Sequence, residues 1–241
     1  MKLNSPNSIE SILLDIEGTV SPVSYVYEVL FPFARKYASE FLHKNFDQPS
    51  VQKALDYMAR DAGFTSKEDW LKTGEPIEVV LSEVNRLMDA DIKATGLKEL
   101  QGIIWKDGYN NGVLMSELFA DVPDALSSWD KDGKNISIYS SGSIGAQKIF
   151  FAYTKFGDMS KYLDSHFDTT SGGKKESSSY KNISKALDFA PSKILFLSDI
   201  VDELDAAREA GVQTILVKRD GNAPQRQNEH QSIKSLAELD L

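Results

Sequence analysis

The 241 residues are enough for one large domain or two small ones around a sizeable core. The balance of 36 acidic to 27 basic residues gives a net charge of -9, which argues against a nucleic-acid binder and requires any phosphate site to be locally positive. The absence of cysteine excludes disulfides, thiolate catalysis and cysteine-type zinc sites. Met1 to Ser8 is polar, and no apolar stretch reaches signal-peptide length or 18 residues. A cytosolic protein without membrane contact is therefore expected.

The first structured signal is Ser11-Ile12-Leu13-Leu14-Asp15-Ile16-Glu17-Gly18-Thr19. An apolar run with no polar alternation reads as a strand buried on both faces, as in parallel sheets. Its carboxyl end, where α/β proteins place ligands, carries two acids one residue apart. From Tyr25 to Ala120 the grammar becomes helical. Val26, Leu30, Phe33, Tyr37 and Phe41 share one stripe, as do Ile77, Val80, Leu81, Val84, Leu87 and Met88, and Leu97, Leu100 and Ile104 begin a third. Residues 25–120 are thus expected to form a helical cap, a lid over the acidic loop, inserted into an α/β core of residues 1–24 and 121–241.

Three further apolar runs follow: Ile136 to Tyr139, Ile194 to Leu197 and Thr214 to Val217. Helical patterns at Ile144 to Tyr153, from about Ser177, and at Val201 to Ala210 alternate with them, so the core is read as a parallel, Rossmann-like three-layer α/β sheet. The polar tail is expected to end in a short helix at Ser232 to Leu239.

Each strand end carries chemistry. Asp15 is a candidate nucleophile able to form an aspartyl-phosphate. Glu17 has the reach of a metal ligand, by side chain or carbonyl, or of a general acid and base. Ser140 and Ser141, where a strand opens into a helix, suit a phosphate cradle. Lys174, in a glycine-flanked loop, would offset phosphate charge; spacing does not distinguish it from Lys175. Asp199 completes a hard-oxygen set of the kind that selects Mg²⁺, with Glu203 placed to orient it. His43, His166 and His230 have no metal-ligand spacing.

This order of acid, hydroxyl, lysine and acid resembles the four-motif series of haloacid dehalogenase-like phosphohydrolases. The closer resemblance is to the enolase-phosphatase (acireductone synthase) family of methionine salvage. It is carried by Leu14-Asp15-Ile16-Glu17-Gly18-Thr19, by Tyr139-Ser140-Ser141-Gly142-Ser143 with Ala146-Gln147-Lys148, and by Lys174-x-Glu176-x-x-Ser179-Tyr180. Leu195-Phe196-Leu197-Ser198-Asp199 and the cap-like Leu100-Gln101-Gly102-Ile103-Ile104-Trp105 complete it. The resemblance implies a five-stranded parallel core with a helical cap. It implies one Mg²⁺ held by Asp15, Glu17 and Asp199, and substrate phosphate held by Ser140, Ser141 and Lys174. It also implies a small phosphorylated diketone as substrate, a monomer, and a cytoplasmic location with the nucleus as a second compartment. Val20-Ser21 and Asp220 depart from the family pattern without touching a proposed ligand. The competing reading is a generic capped phosphatase of another small metabolite.

Overall fold

The computed structural model describes residues 9–241. Strand β1 (Ser11–Leu14) comes first, and every residue in it is buried. The chain then enters a wide-wound turn at Tyr25–Leu30 and the helices α1 (Phe31–Asn45), α2 (Pro49–Asp61), α3 (Lys67–Leu71), α4 (Pro76–Asp89) and α5 (Thr95–Asn110). The stripe predicted from Val26 is not one continuous α-helix. Pro32 stands in the first turn of α1, where it has no N–H to give a preceding carbonyl, so regular α winding begins only at Phe31. Next come α6 (Val122–Lys131), β2 (Asn135–Tyr139), α7 (Ile144–Ala152), β3 (Ser165–Phe167), α8 (Ser177–Leu187), β4 (Ile194–Ser198), α9 (Val201–Glu209), β5 (Gln213–Val217) and β6 (Ser232–Ile233).

The chain divides into two compact units, Tyr27–Leu114 and the remainder. The helical unit has its own core, in which Leu42, Val51, Leu55, Met58, Trp70, Val80, Leu87, Leu100 and Ile104 pack together. α2 supplies Val51, Ala54, Leu55 and Met58 at the three- and four-residue spacing of a single face.

The other unit is a parallel sheet of order β3-β2-β1-β4-β5-β6, flanked by helices. Six strands replace the five expected. β3 is too short to show periodicity. β6 lies where a helix was expected: Lys218 N–H donates to the Ile233 carbonyl, and the Leu216 N–H to that of Gln231, both at 2.8 Å, so the tail extends the sheet. Only one tight turn, Leu236–Glu238, forms beyond it, capped by the Ser235 hydroxyl. Alternate strand residues serve opposite faces. Leu13, Tyr139 and Phe196 join a core with Tyr180, Ile183, Val201 and Leu204 from α8 and α9. Ile12, Leu14, Ile138, Leu195 and Leu197 are equally buried on the other face. Burial on both sides is what makes these runs continuously apolar.

Strand order locates the ligand crevice. The connections from β1 lead outward through β2 to β3; the chain then crosses back to β4 on the other side of β1. Order reverses between β1 and β4, and the carboxyl edge at such a switch point is where open α/β sheets bind ligands. Leu14 pairs with Ile138 on one side and Leu197 on the other, so Asp15, Ser140 and Asp199 all emerge at this edge.

Candidate active site

Asp15 is 2% exposed although it is a carboxylate. Its Oδ1 accepts from the Ile16 N–H at 2.8 Å and from Lys174 Nζ at 2.5 Å. Lys174 also reaches Glu203 Oε2 at 2.8 Å, so one ammonium bridges two buried acids. Burial works against its charge, but Asp15 and Glu203 outweigh it and hold Lys174 above the ordinary lysine value. The Ser198 hydroxyl lies 2.9 Å from Glu203 Oε2 and 3.4 Å from Asp15 Oδ2. The two adjacent lysines part company: Lys174 is 11% exposed, whereas Lys175 is 65% exposed and pairs with Asp202 outside this cluster.

Glu17 turns toward β2, where its Oε2 accepts from Ser140 Oγ at 3.2 Å. Ser140 Oγ in turn accepts from the Gly142 N–H at 3.2 Å. Gln147, on α7, donates to the Gly142 and Phe167 carbonyls, both at 2.8 Å, and so pins the Ser140–Gly142 turn. Ser141 follows in that turn and is exposed. Asp199 approaches the acidic loop at Gly18, where an added Cβ would lie 2.3 Å from Asp199 Oδ2.

The carboxylates crowd one another. Burial, then the charges of Asp15 and Glu203, push Asp199 up to about 7. Burial and Asp15 also raise Glu17 and Glu203. Lys174 alone does not neutralise the group. Among the described residues, no three acidic or histidine side chains are gathered to hold a metal. A buried carboxylate, a neighbouring acid of raised pKa, a cation and a hydroxyl turn are together parts that attack on an anionic ester would use.

Comparison with known proteins settles the family. The haloacid dehalogenase-like hydrolase family matches residues 9–211. The enolase-phosphatase E1 of Synechococcus elongatus is 43% identical over 237 residues, covering 97% of this chain and 99% of the relative. That of Drosophila willistoni is 41% identical over 222 residues, covering 90% of each. The chain belongs to the enolase-phosphatases of the haloacid dehalogenase-like hydrolase family. Among solved structures, the UTR4 protein of Saccharomyces cerevisiae superposes with a TM-score of 0.76 at 34% identity, over 94% of this chain and 98% of that one. The protein is a phosphoric-ester hydrolase on a haloacid dehalogenase-like fold.

For this enolase-phosphatase, the structure adds residues that strand-end motifs do not reveal. Asn222 Nδ2 donates to the Gly18 carbonyl at 2.9 Å, and Arg219 Nε to that of Thr19 at 3.1 Å. Arg219 also bonds Asp121 Oδ2 at 2.9 Å and so ties the acidic loop to the start of α6. Neither residue ends an apolar run or falls at a strand-end motif; Asn222 follows Gly221, whose φ is 91°.

The acidic loop leaves no room for a side chain at Gly18, whose φ is 75°. Gly18→Ala is expected to lose about 1–3 kcal/mol of stability from backbone strain and displacement of Asp199. Turnover should fall about tenfold, the effect of about 1.4 kcal/mol of transition-state stabilisation lost when Asp199 is displaced. Denaturant unfolding and steady-state kinetics on one preparation would check both.

Proposed function

We propose that this enolase-phosphatase converts 2,3-diketo-5-methylthiopentyl 1-phosphate, through its enol-phosphate, to the acireductone 1,2-dihydroxy-3-keto-5-methylthiopentene and phosphate. The observation that carries this reading is the Lys174 bridge to Asp15, which sets a carboxylate and a phosphate-pairing cation at the switch point of the sheet. Asp15 attacks phosphorus, and the bond from phosphorus to the enol oxygen breaks. Glu17, whose proton affinity is raised by burial and by Asp15, gives its proton to that oxygen. The resulting Glu17 carboxylate then takes a proton from the water that hydrolyses the aspartyl-phosphate. Lys174, Ser140 and the Ser140-Ser141 turn hold the phosphate oxygens, and Lys174 exchanges one carboxylate partner for phosphate. The helical unit, residues 27–114, serves as the cap that excludes water, and the working form is a monomer.

One Mg²⁺ fits the donor set. Asp15 and Asp199 offer carboxylates, and Glu17 offers its backbone carbonyl because its side chain is engaged by Ser140. Two carboxylates plus substrate oxygens and water are a usual complement for this ion. When bound, Mg²⁺ screens the phosphate from the acids and polarises the substrate carbonyl toward the enol. The mutual raising of Asp199 and its neighbours is the electrostatic gap such a cation fills.

The Asp199 value sets a pH dependence. Protonated Asp199 does not ligate, so apparent Mg²⁺ affinity should rise about tenfold per pH unit up to about pH 7 and level off above it. The acid's pKa is raised in the folded state, so the metal-free protein should lose stability as pH climbs from about 4, the ordinary aspartate value, to 7. Calorimetric titration of Mg²⁺ at several pH values would test the first trend and thermal melts in chelator the second. Ca²⁺ is expected not to restore turnover, because the smaller ion demands tighter octahedral geometry.

The deciding experiment supplies the diketone phosphate and follows the enol absorbance and phosphate together. An enol band that precedes phosphate release supports the reading. Phosphate release without an enol makes the protein a generic capped phosphatase.

A further inference from the structure

Three consecutive carbonyls of the loop that delivers Lys174 are each held by a different buried hydroxyl. Tyr139 Oη donates to Gly172 C=O at 2.9 Å, Ser179 Oγ to Gly173 C=O at 2.7 Å, and Tyr180 Oη to Lys174 C=O at 2.6 Å. All three donor residues are fully buried. The donors come from different elements: Tyr139 ends β2, while Ser179 and Tyr180 lie in the first turn of α8. The two phenol rings meet edge-on with centroids 5.6 Å apart, and Tyr180 packs on Phe196 at 5.1 Å. The loop passes so close that a Cβ on Gly172 would lie 2.2 Å from Ser179 Oγ.

Core packing alone does not require this pattern. Phenylalanine would fill the same space, and a buried hydroxyl needs only some acceptor. Here every hydroxyl lands on the same three-residue stretch. Lysine carries its charge on a flexible four-carbon stem, so an ammonium is only as well placed as the backbone behind it. Burial, then Glu203 and Tyr139, raises the Tyr180 phenol, which keeps it a donor throughout the working pH range.

We propose that Tyr139, Ser179 and Tyr180 form a hydroxyl clamp that positions Lys174 for phosphate, with Tyr180 the principal member. The role rests on the reading of Lys174 as a phosphate ligand. None of the three touches the reacting atoms; each acts through the lysine.

Tyr180→Phe in the full-length protein removes one oxygen and keeps the ring. Two readouts are needed: the rate of reductive methylation of Lys174, followed by mass spectrometry with Lys175 as internal reference, and the inhibition constant of inorganic phosphate. Tyr180→Phe is expected to speed Lys174 labelling several-fold relative to Lys175 and to weaken phosphate about tenfold, the scale of one hydrogen bond. Once Lys174→Ala is in place, adding Tyr180→Phe should cost no further phosphate affinity. Tyr139→Phe and Ser179→Ala should act in the same direction, and they carry the test if Tyr180→Phe does not fold. Wild-type labelling and phosphate inhibition in the variants, or losses that simply add to that of Lys174→Ala, overturn the clamp. If labelling responds but the parent protein does not bind phosphate, the hydroxyls still hold the lysine, but the reading of Lys174 as a phosphate ligand falls, and the clamp for phosphate falls with it.

Discussion

Asp15→Asn is expected to fold like the parent and to lose turnover by about 10⁴-fold or more, the scale seen when a catalytic nucleophile is removed. An amide is close in shape to a carboxylate, and its oxygen can still accept from the Ile16 N–H, so the acidic loop keeps its course. It is not a nucleophile toward phosphorus. The charge balance also changes in a measurable way. Asp15 contributes to the raised values of Asp199, Glu17 and Glu203. Neutralising it should lower all three, bringing Asp199 down from about 7 toward ordinary aspartate. Carboxyl-carbon NMR on the variant reads this shift, and single-turnover assays with mass spectrometry of the aspartyl-phosphate read the chemistry. A near-normal rate, or a phosphorylated enzyme in the variant, would falsify Asp15 as nucleophile.

Lys174→Met should be the most destabilising single change in the site. Lys174, Asp15 and Glu203 are all nearly inaccessible, so removing the cation leaves two carboxylates buried 2.5 and 2.8 Å from where their partner stood. Breaking a buried pair from one side costs about 3–5 kcal/mol. Part of that is recovered if an acid takes up a proton, which gives the variant a pH signature. Without the lysine, the folded-state value of Glu203, already raised by burial and Asp15, rises further above its unfolded value, so stability is greatest at low pH and falls as pH rises through it. Urea unfolding at pH 5 and pH 8 should therefore show a gap between parent and variant that widens at pH 8. Phosphate affinity should fall as well. If methionine merely fills the space, with no pH trend, then the ammonium does not neutralise the two acids.

Both experiments probe groups that stand out along the chain, and the reason is topological. In a parallel sheet the strands are buried on both faces, so Ile12-Leu13-Leu14 and Ile194 to Leu197 announce themselves as unbroken apolar runs. All strands point one way, so the residue after each run falls at a single edge. Asp15, Ser140 and Asp199 were legible as neighbours for that reason. Lys174 was harder to read: it follows a three-residue strand with no periodicity of its own, and an adjacent lysine competes with it. Only the loop path, which sends Lys174 inward and Lys175 to Asp202, separates them.

Other features had no local signature. Tyr139 and Tyr180 are core aromatics, and what their hydroxyls hold lies 33 residues away in one case and six in the other. Arg219 meets Thr19 across 200 residues. β6 has two residues, too few for any pattern, and exists because β5 offered an open edge to the tail.

The amino-acid sequence by itself determined the parallel α/β core, the helical block and the identity of the charged groups at the strand ends. Those follow from burial periodicity, which is local. Tertiary structure alone decided which lysine enters the site, that Glu17 turns its side chain to Ser140, and which hydroxyls and amides hold the loops. Each of these depends on directional bonds between segments far apart in the chain. A hydrogen bond is made or lost within a few tenths of an ångström, a precision that hydrophobic patterning does not encode.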